Sequence, residues 1–191
     1  MRALIAVLIL IFSFQSWTKA DDISDFQIEG MSIGDSLLDY FSEEEITKAI
    51  REKQYPGKDG KFIEIQFHRK TDSFLKTFEG LQIIYKKNDK NYKIYSLTGG
   101  LFFGSDINAC LEMQKIVEKD LSILFKNTER LTKKQKYSWD KTGKSYIHFI
   151  VHFFDTEDQI EISCYEFAKH LNREHYLIVS VDTKEFMDWL D

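Results

Sequence analysis

The chain is short of several things that mark common classes. Of its 191 residues one is proline and two are cysteine, and no Asn-x-Ser/Thr acceptor occurs. With a single proline and 43% apolar residues, intrinsic disorder is excluded and a sizeable core is expected. The missing glycosylation acceptor favours a bacterial envelope over a eukaryotic secretory route. Positive charge is scarce: 26 Lys+Arg face 31 Asp+Glu, a formal net of −5. Nucleic acid and anionic membrane surfaces require clustered positive charge, so neither is expected as a partner. Beyond the first twenty residues no apolar run is long enough to span a bilayer.

The N-terminus is where export is written. Met1-Arg2 supplies a positive start, Ala3 to Phe14 is apolar but for Ser13, and Thr18-Lys19-Ala20 ends in a small residue. This pattern predicts a secretory signal peptide over 1–20, cleaved after Ala20. Its apolar run of 12 residues falls short of the about 20 that a spanning helix needs. The mature chain, 21–191, is then periplasmic or secreted, without stable membrane insertion, and carries 24 basic against 31 acidic residues. In an oxidising compartment Cys110 and Cys164 read as one disulfide. A reduced buried pair and two metal ligands are the alternatives, and neither cysteine has a Cys or His at chelating spacing.

Ser32 precedes Asp35 by three and Ser42 precedes Glu45 by three. These capping-box spacings predict short helices at about 33–41 and 43–52. Pro56-Gly57 and Asp59-Gly60 mark a turn. Strands follow near 62–68, 78–86 and 92–98, the last two joined by Lys87-Asn88-Asp89-Lys90-Asn91. Ile107, Cys110, Leu111, Val117, Leu121, Leu124 and Phe125 recur at helical spacing, so a longer helix covers about 106–126. Alternation predicts an antiparallel meander over 146–154, 160–164 and 177–181, turned by Asp155-Thr156-Glu157-Asp158. Asp182 and Glu185 then cap a final helix carrying Phe186, Trp189 and Leu190. The fold class is α+β: antiparallel β-meanders packed against a central helix and short terminal helices. Residues 21–191 form one domain or two lobes, about 21–104 and 105–191, in which a helix-then-strands order occurs twice.

Chemistry-bearing strings are few. Gly30-Met31-Ser32-Ile33-Gly34 fits G-x-S-x-G, but only about ten mature residues precede Ser32, too few for the parallel sheet that such an elbow requires. Gly99-Gly100-Leu101-Phe102-Phe103-Gly104 sits between a strand and a helix as a phosphate loop does. Ser105-Asp106 stands where such a loop has Lys-Ser/Thr, so a tight turn capped by Ser105 or Asp106 is expected. His148 and His152 would chelate on a helix, but on a strand their Cα atoms are about 13 Å apart, and partly exposed sheet histidines are expected. His68 is placed at a strand end, and His170 and His175 in a loop. Asp155, Glu157 and Asp158 lack EF-hand spacing and read as a solvated hairpin tip. Phe102, Phe103, Tyr137 and Trp139 could line an apolar groove, but aromatics are more often core. No metal or cofactor is expected.

Gly34-Asp35-Ser36-Leu37 resembles the signature of GDSL (SGNH) esterases and lipases, which would make Ser36 a nucleophile. The pattern departs from that family elsewhere. The Asn88-Asp89 pair has Lys86 where its Gly-x-Asn-Asp block has glycine, and His170 and His175 follow Phe167 and Asn172 where an Asp belongs. The leader, the segment from Ile28 to Ser42, the Cys-bearing central helix and Thr183 to Leu190 together resemble a group of small exported bacterial proteins of unassigned function. Gly30-Met31 and the helix-then-sheet order are similar to BamE-like and β-lactamase-inhibitor-like modules, which implies action by binding other proteins. The expected function is thus an exported binding or envelope-accessory module for a protein or small-molecule ligand. The alternative is a serine ester hydrolase using Ser36.

Overall fold

The computed structural model describes residues 22–50 and 58–191. The expected leader with its cleavage point at Ala20, the last two residues of the expected 43–52 helix and the Pro56-Gly57 turn lie outside the described residues.

Among the described residues seven strands form one antiparallel sheet. They are β1 (Phe62–His68), β2 (Gly80–Lys86), β3 (Ile94–Phe102), β4 (Glu129–Lys136), β5 (Tyr146–Phe153), β6 (Gln159–Glu166) and β7 (Tyr176–Asp182). Their spatial order is β1-β2-β3-β7-β6-β5-β4. Two meanders therefore meet at the β3–β7 seam, where Leu97 opposes Val181 and Gly99 opposes Val179. Both halves of the chain feed the same sheet.

Among the described residues three α-helices accompany it: α1 (Glu43–Ala49), α2 (Ile107–Leu124) and α3 (Lys184–Leu190). The class is α+β, with α2 central. Cys110, Gln114, Val117 and Leu121 are the buried stripe of α2. They lie over the sheet face bearing Ile150, Ile160, Ile162, Cys164, Leu177, Val179 and Val181, all within the main core cluster. Burying side chains such as Leu121 contributes about 1.5–3 kcal/mol each. The Cys110–Cys164 disulfide joins helix to strand with Cα atoms 6.1 Å apart. Closing a loop of that size stabilises by roughly 4 kcal/mol in the chain-entropy account.

Several local expectations change. The Ser42–Glu45 capping box forms and starts α1. The one at Ser32 does not start a helix. Asp35 accepts the Ser32 N–H at 2.9 Å, but Ser32 Oγ turns to the Phe26 carbonyl, and Gly34 has φ +94°, which no helix accommodates. Only a 3-10 turn, Leu37–Asp39, follows. Upstream, Ile28 and Met31 exchange backbone hydrogen bonds across Glu29 (φ 53°) and Gly30 (φ 82°). This is a two-residue hairpin turn with both central residues left-handed, so Gly30-Met31 is no helix start. The final helix is capped by the Thr183 hydroxyl, not by Asp182, which is buried in β7.

β3 runs four residues past its expected end, taking Gly99 and Gly100 into the sheet. A Cβ on Gly99 would stand 2.6 Å from the Phe78 ring, so the glycine makes room for an aromatic core residue. The turn into α2 instead uses Gly104 (φ 56°), and Asp106 caps by accepting the Ala109 N–H at 3.0 Å. β4 was not expected at all. Every one of its eight residues is exposed, so it carries no inward apolar row to read.

Candidate functional site

β4 is the outer strand of the second meander and pairs only with β5, from Glu129↔Phe153 to Lys136↔Tyr146. Two similar clusters fasten it. Arg130 stands opposite His152, and both bond the Glu118 carboxylate of α2, His152 Nε2 at 2.7 Å. Four residues on, Lys134 stands opposite His148, and both bond Glu166 of β6, at 3.1 and 2.8 Å. A four-residue step keeps both pairs on the same sheet face, the one that α2 covers.

His152 is 2% exposed, and its Nδ1 lies 2.9 Å from Thr128 Oγ1. Thr128 Oγ1 also donates to the Phe125 carbonyl. Burial by itself would raise Glu118, but bonds from His152, Arg130 and Ser122 outweigh it and hold the carboxyl below its ordinary range. Glu166 is held down in the same way, its burial outweighed by His148 and Lys134. The two histidines, expected as partly exposed sheet residues, each have a carboxylate of their own, and His152 is buried.

The loop that leaves β4 is equally well held. Asp140, 5% exposed, accepts from Thr142 N (2.9 Å), Thr142 Oγ1 (2.7 Å) and Ser145 Oγ (2.7 Å). The Thr142 and Ser145 hydroxyls keep its carboxyl well below the usual range. His170 Nε2 adds an ion-pair contact at 3.3 Å. Beside this anchored residue Trp139 is 82% exposed, the most exposed large apolar side chain among the described residues. Leu131 on β4 is 48% exposed.

The sheet face away from α2 is polar in its middle. Asp182 accepts from Ser96 Oγ at 2.5 Å and Ser180 Oγ at 2.8 Å. Its burial raises the carboxyl above its ordinary range despite those bonds and one from Gln159. Glu161 is raised as well, by burial and by neighbouring Asp182, against a bond from Ser163. At one end of this face α3 packs Phe186 on Phe62 and Ile84. At the other, Tyr137, Tyr165, Phe167 and Tyr176 form a ring cluster that Phe102 joins through Tyr176 at 6.0 Å. Burial pushes the Tyr176 hydroxyl up to about 12. Phe102, Phe103, Tyr137 and Trp139 do not come together as a groove: Phe103 packs against the main core, Phe102 and Tyr137 belong to the ring cluster, and Trp139 is exposed.

Ser36 caps the 3-10 turn. Its Oγ accepts the Leu38 N–H at 3.2 Å and donates to the Asn91 carbonyl at 2.6 Å. Those partners are backbone groups, and among the described residues no imidazole bonds to it. His175 is buried and accepts the Phe167 N–H through Nδ1, while His68 ends β1. The Asp155–Asp158 tip is more than a solvated turn: Asp158 accepts the Lys184 N–H at 2.7 Å at the start of α3. Among the described residues no group of three or more His, Cys, Asp or Glu is placed to hold a metal ion, and no helix is long and apolar enough to cross a membrane. Sequence reasoning missed β4 entirely. The signal present was charge: Lys126, Arg130, Lys133, Lys134 and Lys136 crowd a stretch with one acid, Glu129. Comparison with protein-family models, curated proteins and solved structures finds no match to this chain.

Proposed function

We propose that the protein is an exported binding module, working in the periplasm or outside the cell, that engages another protein through the β4 edge of its sheet. The observation that carries this reading is β4: eight residues, all exposed, paired on one side only, and fixed to the core by two carboxylate-centred clusters. An edge strand offers a row of unsatisfied N–H and C=O groups, a ready template for a partner's backbone. Rigid attachment lowers the ordering cost of such a contact. The buried Cys110–Cys164 disulfide fits an oxidising, non-cytoplasmic compartment, and the leader-like Met1 to Ala20 segment supports export.

Site-specific photocrosslinking in the exported compartment tests it. A crosslinker at Gln135 on β4 should give a discrete heteromeric adduct, and one at the exposed Glu112 on α2 should not. Equal yields from both positions, or no adduct from β4, would remove the support for an edge-binding role.

A further inference from the structure

Resting on that edge reading, we infer that the segment received by β4 is acidic and extended, adding to the sheet as an eighth strand. Residues 126–136 hold five cations and one anion in a chain whose formal net charge is −5. One of the chain's basic stretches thus lies along an outer strand of the sheet. Arg130 and Lys134 are engaged by Glu118 and Glu166. Lys133 and Lys136 have no ion pair among the described residues and remain available to a partner.

The same charges argue against a second copy as the occupant. Two β4 edges laid antiparallel would set Arg130, Lys133, Lys134 and Lys136 of one chain against those of the other, and like charges across a strand pair are destabilising. An acidic strand reverses the sign of that interaction while keeping the backbone pairing. Lysines on an edge can also serve merely to block pairing. Two features go beyond a blocking role. Leu131 is half exposed on the strand, and Trp139 projects from an anchored loop three residues past its end. A strand running along β4 would find an apolar contact and an aromatic one beside its backbone partners, the combination typical of interface anchors.

The experiment uses the disulfide-intact mature chain, 21–191, and two ten-residue peptides, one alternating Glu with Thr and one alternating Lys with Thr. Calorimetric titration is read together with amide hydrogen exchange over 129–136. The Glu-Thr peptide should bind, slow exchange in β4, and lose affinity as salt rises, while the Lys-Thr peptide should not bind. The Lys133→Glu/Lys136→Glu double variant, whose changes are on exposed residues, should weaken binding about tenfold or more. Trp139→Ala should weaken it by a smaller factor. Equal binding of both peptides with β4 protected would overturn the acidic specificity and leave the edge reading standing. Absence of protection in β4 with either peptide would overturn both. Self-association of the double variant with unchanged peptide affinity would show that the lysines only guard the edge, and would also overturn the inference.

Discussion

His152 of β5 and Arg130 of β4 sit opposite one another in the sheet and share a single carboxylate, Glu118, that comes from a different layer of the protein. The arrangement ties α2, the edge strand and its neighbour at one point. It also makes that point sensitive to protons.

Glu118 is held below its ordinary range, so its ionised form belongs to the folded state. For a depressed carboxylate the stabilisation is present above the unfolded value and is lost as pH falls through the folded one. Glu118→Gln should therefore cost about 1–3 kcal/mol at neutral pH, because Arg130 loses its counter-charge and His152 a charged hydrogen-bond partner. The penalty should shrink on acidification below about pH 4. Urea unfolding at pH 7 and pH 3.5 checks this, and a penalty independent of pH would contradict it.

Asp182 behaves with the opposite sign. Burial raises its carboxyl, so the neutral form suits the fold; stability is fully present below the ordinary carboxylate range and is lost as pH rises through the raised value. Asp182→Asn should keep a neutral group between Ser96 and Ser180 and flatten the decline of stability above about pH 4. Parallel denaturation series at pH 4, 6 and 8 would show the variant gaining on the parent as pH rises. A constant difference across the series would count against it.

At Gly99 the space is already taken. An added Cβ would meet the ring of Phe78 at 2.6 Å. Gly99→Ala should destabilise by about 1–3 kcal/mol through overpacking, while Gly100→Ala, whose nearest contacts are at 4.0 Å, should cost less. Thermal unfolding of the two variants decides the order. Equal midpoints would mean that the Phe78 ring moves aside freely.

Ser36 should act as a cap and nothing more. Its replacement by alanine is expected to cost about 0.5–2 kcal/mol, the usual range for a lost N-cap. A fluorophosphonate probe should leave both forms unlabelled in intact-mass spectrometry. A probe adduct abolished by Ser36→Ala would instead establish a serine hydrolase.

Much of the architecture was legible because it rests on local patterns. The α2 stripe placed Cys110 inward, and the alternating rows of β6 and β7 placed Cys164 facing it; burial periodicity is a property of neighbouring residues in the chain. The open edge at β4 was not legible. Glu129 to Lys136 is exposed all along its length, so a hydrophobic alternation was never required of it, and it is a strand because β5 offers it a ladder. The histidine pair was visible as letters, but their carboxylates lie 34 and 18 positions away. No spacing rule connects groups at such separations.

The sequence by itself determined the class of fold, the helix-to-sheet cysteine pairing and the Ser42 cap of α1. Each of these depends on periodicity or on short-range chemistry. Only the tertiary structure decided that β4 exists and forms an open edge, that Gly99 accommodates Phe78 and that Ser36 bonds backbone groups. It alone also decided that Glu118 and Glu166 each hold a histidine and a cation. Those outcomes depend on which distant segments meet, and that is set by the packing of the whole sheet against α2.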